Sequence, residues 1–337
     1  MLQRPMETRE PPVLVIGGIP MSTWRLIMLG VGLVILAAIP FALKNFYIFQ
    51  ITLAIIYAIA ILGLNLLTGF NGQFSLGHSA FYAIGAYTAA IMMENLGIDY
   101  IWTIPAAAFV CFVFGFLFGL PALRLEGIYL ALATFALAIA IPQVLKSSVL
   151  EHWTGGVQGI VIIKPDAPFG LPLSSDQWLY VFTVIVAVVM YVCAANLVKS
   201  RTGRALIAIR DHPVAASAMG INVSLYKSLT FGVSALYTGV AGALGAIAIA
   251  FVAPDSFTFS LAVALFVGLV VGGVASIPGT IVGGFFVLFV PNIAEHFSKG
   301  LAGAVYGVIL LLIIFVMPMG AAGLARLITG KLMKQGR

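Results

Sequence analysis

Polar side chains without a fixed charge cluster inside one apolar stretch, residues 63–90 (GLNLLTGFNGQFSLGHSAFYAIGAYTAA), among them Asn65, Thr68, Asn71, Gln73, Ser75, His78, Ser79, Tyr82 and Tyr87. Five glycines are interspersed among them. Glycine lets helices approach closely or lets a backbone unwind, and amides and hydroxyls can then hydrogen-bond a polar solute without fixing a charge in lipid. The chemistry this pattern offers is passage of a small polar molecule. Asn65, Asn71, Gln73, Ser75, His78, Ser79 and Tyr82 are the candidate lining of such a path. The same residues also serve as hydrogen-bonding glue between packed helices, and a lone His78 is more often a satisfied packing residue than a ligand.

Other chemistries are excluded by what they require. A P-loop needs G-x-x-x-x-G-K-[ST], and the nearest stretch, TGKL at Thr329, Gly330, Lys331 and Leu332, lacks the upstream glycine and the hydroxyl. The chain therefore does not hydrolyse ATP through that fold. Ion-coupled carriers hold ionisable groups at mid-membrane depth, whereas every Asp, Glu, Lys and Arg here falls at the end of an apolar run or between runs. No paired histidines or carboxylates have metal-ligand spacing, so no metal site and no catalytic residues are expected. Cys111 and Cys193 lie in apolar runs, where a thiol behaves as a small hydrophobe.

The elements that must position the polar stretch are membrane helices. Of the 337 residues, 62% are hydrophobic and 8% charged, with mean hydropathy +1.13, where soluble domains carry about 25% charged residues. The expected fold is an all-α polytopic membrane protein with about ten transmembrane helices, some short or broken. Apolar runs place them at 26–43, 47–68, 74–93, 101–122, 127–145, 177–198, 228–252, 259–275, 279–294 and 302–319. The third, eighth and ninth are short or glycine-rich and can be broken or re-entrant. Residues 1–25 read as a polar N-terminal segment preceding a retained first helix, residues 26–319 as one transmembrane domain, and residues 320–337 as a basic tail. With both termini in the cytoplasm, thirteen Lys and Arg residues fall inside and four outside, the expected cationic bias of cytoplasmic loops. A net charge of +6 thus reports topology rather than nucleic-acid binding.

Three connections stand out. The outer loop 146–176, with TGGVQGIVIIKPDAPFG, reads either as a spacer or as a lid or docking surface for an external partner. The glycine-rich turn 271–284 (VGGVASIPGTIVGG) has a layout like that of TGFNGQFSLGHS, which hints at internal duplication. The polar island 199–227 (KSRTGRALIAIRDHPVAASAMGINVSLYK) carries the only dense cationic charge between long apolar runs. Thr202 is expected to cap a helix through Ile209, and His212 and Pro213 to open a second, closed by Gly220. Val214, Ala218 and Met219 then form an apolar knob ringed by Arg201, Arg204, Arg210 and Asp211, a suitable protein-docking feature. The plainer reading is a basic loop that sets topology and meets anionic lipid.

At these residues the chain resembles a known family. Ala215-Ala216-x-x-x-Gly220-Ile221 is similar to the EAA---G coupling loop of ATP-binding-cassette (ABC) importer permeases. Together with the 63–90 stretch and the outer TGG-x-x-GI at Thr154 to Ile160, it resembles the M-type membrane permease of branched-chain amino acid importers, over about residues 48–319. Val214 stands at the usual acidic position and no Leu-Pro follows, so a charge contact falls to Asp211 or Arg210. The resemblance implies coupling residues Arg201, Arg204, Arg210, Asp211, Ala215, Ala216, Met219 and Gly220. It implies two ATPase subunits holding the ATP and magnesium, so that no cofactor belongs to this chain. A second homologous permease, an external substrate-binding protein and a bacterial-type inner membrane complete the picture. Leucine, isoleucine and valine are the implied cargo; urea and short amides are carried by closely similar permeases. An ion-coupled carrier and a membrane scaffold remain as readings from other classes.

Overall fold

The computed structural model describes residues 45–125, 127–168 and 172–297, with the shorter pieces 15–16, 19–20, 36, 38–44, 307–312, 315, 317 and 320–323. Most of the expected first and tenth spans, the N-terminal segment and the basic tail lie outside the described residues. The chain divides into two units, residues 1–44 and 45–337. In the first, β1 (Val15–Ile16) pairs antiparallel with β2 (Ile19–Pro20).

The second unit is helical: α1 Asn45–Asn65, running on through a π turn Leu66–Phe70; α2 His78–Glu94; α3 Tyr100–Ala122; α4 Ile128–Leu145; the short α5 Glu151–Thr154; α6 Ser175–Lys199; α7 Arg201–Asp211; α8 Pro213–Ala218; α9 Val223–Ile249; α10 Phe259–Gly272; and α11 Gly279–Phe297. Among the described residues six helices are long and apolar enough to cross a membrane, and α11 adds a shorter apolar helix. The all-α polytopic expectation holds, and the second to ninth expected spans each coincide with a helix. The third, α2, is 17 residues and the eighth, α10, is 14, both cut short by glycine-bearing breaks.

Two helices make the centre. α1 and α9 are mostly buried, while α3, α4 and α6 are mostly exposed, which is how apolar helices read when they face lipid or a partner rather than water. α9 packs along α3, α2 and α1. Its small residues allow this: a Cβ on Gly85 of α2 would collide with the Gly239 carbonyl of α9, and one on Gly115 of α3 with Ala235. Close backbone approach of this kind replaces the hydrophobic drive that lipid removes. Around it lies a core of Ile59, Leu62, Tyr82, Tyr237, Leu244 and Leu265, all under 5% exposed.

At the end away from the island, β3 (Ile160–Val161) pairs antiparallel with β4 (Phe251–Val252), tying the 146–176 loop to the α9–α10 connection. Lys146–Asp255 and Lys164–Asp176 ion pairs add to it. Among its described residues the loop exposes Val149 and Ile163, each by more than 80%.

Candidate functional site

The polar stretch forms a junction between α1 and α2. The π turn leaves the α-helical ladder, Gln73 N–H reaching back to the Leu67 carbonyl at 3.2 Å and the Thr68 hydroxyl donating to the Gln73 carbonyl at 3.0 Å. Single π turns inside helices recur at functional sites because they free a carbonyl for another partner. Here the freed group is Gly69 O. Gly72, at φ +74°, then turns the chain, and residues 72–77 run without helix to α2. The Leu76 N–H donates to Thr134 Oγ1 on α4 at 2.9 Å, which anchors the run.

His78 opens α2 and is 1% exposed. Its Nδ1 lies 3.0 Å from Ser75 Oγ and its Nε2 2.7 Å from Ser234 Oγ on α9. Ser234 donates its own proton to the Gly63 carbonyl at 2.6 Å. Its oxygen must then accept from Nε2–H, which leaves Nδ1 to accept from Ser75, so the network assigns the neutral Nε2–H tautomer. His78 thus binds α1, α2 and α9 together, with both ring nitrogens occupied.

Asn65 does something similar at the second break. Its amide donates to the Ser276 carbonyl at 2.9 Å and its Oδ1 accepts from the Ala275 N–H at 2.8 Å. A side-chain amide here pairs with a backbone as a peptide would, and Ala275 is held at φ +59°, a region that costs a non-glycine residue ~1–2 kcal/mol. The glycine-rich turns 68–79 and 271–284, matched in the sequence, therefore lie against each other through Asn65.

Of the candidate lining residues, Asn71 and Gln73 bond each other, Nδ2 to Oε1 at 2.8 Å. Ser75 is spent on His78 and Gly77 N–H. Tyr82 packs between Tyr57 and Phe257 and against Gly242 and Gly245 of α9. Asn71 Oδ1, Ser79 Oγ and Tyr87 OH are buried without a hydrogen-bond partner among the described residues. The structure brings Asn65, Asn71, Gln73, Ser75 and His78 into one junction and leaves Ser79 and Tyr82 further along α2.

The island folds as two helices. Ser200, not Thr202, caps α7, its hydroxyl accepting from the Gly203 N–H at 3.4 Å; Thr202 lies one residue inside the helix. Thr202 and Ser200 both sit ahead of a helical run, and the choice between them is made by the extended backbone at Ser200 (ψ 179°). Pro213 takes the first position of α8, and Gly220, at φ +84°, follows its Met219 C-cap as expected. Val214 and Met219 are more than 80% exposed, whereas Ala216 is 5% exposed and turned inward. Arg201, Arg204, Asp211, Ala215 and Gly220 are exposed.

Arg210 faces two ways. It pairs with Asp211 at 2.9 Å, and its Nη1 donates to Gly69 O at 2.9 Å, the carbonyl that the π turn freed. A Cβ on Gly72 would stand 2.8 Å from Arg210 Cγ. The island and the junction are thus in direct contact. Ser234, Thr134, Ala275 and Ser276 complete the junction; the sequence singles out the turn 271–284 that holds Ala275 and Ser276 but not their pairing with Asn65, and gives no sign of Ser234 and Thr134, small residues supplied from distant helices.

The profile of the family described as "Branched-chain amino acid transport system / permease component" matches residues 46–317. The chain is 32% identical over 298 residues to the high-affinity branched-chain amino acid transport system permease protein LivM of Escherichia coli (strain K12), covering 81% of this chain and 70% of that protein. It is 27% identical over 300 residues to LivH of Salmonella typhimurium (81% and 93%) and 26% over 294 residues to BraD of Pseudomonas aeruginosa (81% and 93%). No solved structure matches the chain. With a membrane fold of broken helices, and a profile match spanning nearly the whole helical unit, the chain belongs to the family of branched-chain amino acid transport permease components.

Proposed function

We propose that the chain is one membrane subunit of an ATP-driven importer that carries leucine, isoleucine and valine inward, with its island and termini in the cytoplasm. A second homologous permease, two ATPases docked on the two islands and an external binding protein complete the machine. The observation that carries this reading is the Arg210–Gly69 hydrogen bond, because it joins a docking knob to a helix break inside the apolar domain. The exposed Val214 and Met219 fit an ATPase groove, and the inward Ala216 supports the helix that presents them.

Force applied to α8 passes through α7 and Arg210 to the π turn. From there the Asn65 clasp passes it to the break before α11, and His78 to α9. Rigid helices joined at two hydrogen-bonded breaks rock rather than bend, the form of alternating access that such breaks permit. The neutral amides and hydroxyls of the junction suit a zwitterion, since a buried fixed charge would hold it too tightly or cost too much.

Affinity purification of the chain from membranes should recover a second permease and an ATPase pair. Labelled leucine taken up by cells that contain the chain, and not by a deletion strain, should require ATP and persist when ion gradients are collapsed. Uptake of labelled urea in place of leucine would move the cargo to short amides, and gradient-driven uptake by the chain alone in liposomes would overturn the reading.

A further inference from the structure

At the end away from the island, residues Pro254–Phe257 form a single 3₁₀ turn between β4 and α10. Asp255, Ser256 and Thr258 are exposed, yet Phe257 is buried at 6%. Its ring stands against α2, with centroids 5.9 Å from Tyr82 and 6.1 Å from Tyr87. Tyr82 in turn packs 6.4 Å from the Tyr57 ring of α1, and its hydroxyl lies against Gly245 of α9. His78 is one turn back along α2, so the aromatic column lies between the junction and the end away from the island. The cavity of about 170 Å³ beside the junction lies on the other side, walled by Arg210 and Pro213 of the island.

The turn is fastened by hydrogen bonds and charge to the 146–176 loop. β4 pairs with β3, the Ile162 N–H donates to the Ala250 carbonyl at 2.9 Å, and Lys146 pairs with Asp255. Gly159, at φ +76°, brings its backbone against the Val252 carbonyl, where a Cβ would collide. Toward α2 the hold is ring packing, and the Tyr87 hydroxyl is buried without a partner among the described residues. Rings part without leaving a hydrogen bond unmade, whereas parting the strands leaves several. Ala250 ends α9 just before the strands, an element-terminal position of the kind that absorbs hinge rotation. We propose that Phe257 is the plug of an outer gate, and that the 146–176 loop and the 254–257 turn move as one piece to withdraw it. The proposal rests on the importer reading above and adds where the path is shut on the outer side and which segment opens it. An external partner seated on the loop displaces β3, the strand pair carries the displacement to the turn, and Phe257 leaves Tyr82 and Tyr87.

The test uses cells that make the whole transporter, with Cys193→Ala to remove the exposed thiol. Ser79→Cys puts a thiol at a buried position one turn from Tyr82 on the junction side. A charged, membrane-impermeant thiol reagent is applied outside, and the label is counted on the purified chain. Phe257→Ala should speed labelling of that thiol roughly tenfold, the combined weight of two aromatic pairs on the opening equilibrium. Equal labelling rates with and without the Phe257 ring overturn the proposal. In a second arm, Phe257→Cys and Tyr87→Cys are joined by a cleavable bifunctional thiol reagent. The join should abolish uptake of labelled leucine, and reduction should restore it. Val161→Cys and Phe251→Cys, partners across the strand pair, should take the same join with uptake intact, because the pair moves as a unit. Uptake that continues with the first pair joined, or that stops with the second joined, overturns the proposal. This arm decides the matter if the Phe257→Ala protein fails to fold. Absence of leucine uptake by the unaltered protein counts against the cargo, and the labelling, which needs no cargo, still decides the gate.

Discussion

Two residues at the meeting of island and junction have no freedom to change. Gly72 sits at φ +74°, where an L side chain costs ~1–2 kcal/mol, and its missing Cβ leaves the space that Arg210 Cγ fills. Gly72→Ala should therefore lower thermal stability in detergent by about that amount and weaken uptake further by displacing Arg210. For Arg210 the expectation is different in kind. Arg210→Gln keeps the island exposed but removes the fork that reaches both Asp211 and Gly69 O. If the island docks ATPases as proposed, their assembly should survive, while leucine carried per ATP hydrolysed falls by about tenfold, as expected when one charge-assisted hydrogen bond is lost from a transmission step. An unchanged ratio of uptake to hydrolysis would show that the tie transmits nothing.

At the scale of elements, α8 has an inner and an outer face, and the two should fail differently. Ala216 is 5% exposed, so Ala216→Glu buries a carboxylate without a partner and should reduce the amount of folded protein. Met219 is 83% exposed, so Met219→Glu should leave folding intact and, if α8 docks an ATPase as proposed, abolish its co-purification. Size-exclusion profiles and pull-down read the two outcomes separately. Ser234 joins three helices through one oxygen. Ser234→Ala strands the His78 N–H and the Gly63 carbonyl, at about 2–4 kcal/mol for the pair, seen as a lowered melting point.

Over the whole molecule, close packing outweighs surface charge. The Lys146–Asp255 pair has a half-exposed partner, Asp255 at 66%, and exposed pairs contribute ~0–1 kcal/mol. Asp255→Asn should leave the melting point almost unmoved. By contrast, Gly85→Leu drives a side chain into the Gly239 carbonyl, where backbone meets backbone and nothing flexible can yield. No monodisperse protein is expected from it. α1 and α9, the buried pair, are where substitutions of this kind do most damage, and the exposed faces of α3, α4 and α6 are where they do least.

The chain's own residues determined that it is helical and crosses a membrane, because runs of about 20 apolar residues have no other stable form in lipid. They also placed the eight described helices that coincide with expected apolar runs, the Pro213 start and Gly220 close of α8, and the absence of a P-loop, since each is a local matter of composition or backbone preference. Only the tertiary structure decided what the polar residues do. Thr202 and Ser200 compete for one cap on chemistry alone, and backbone geometry chose Ser200. His78, Asn65 and Arg210 each find their partners 141 to 211 residues away, at Ser234, Ala275 and Ser276, and Gly69. Hydrogen bonds of that range leave no periodic trace, because the partner is a backbone N–H or carbonyl or a small hydroxyl that any helix or turn can supply. Most of all, the island 199–227 and the stretch 63–90 read as two separate features of the sequence. Folding puts Arg210 against Gly69 and makes them one site.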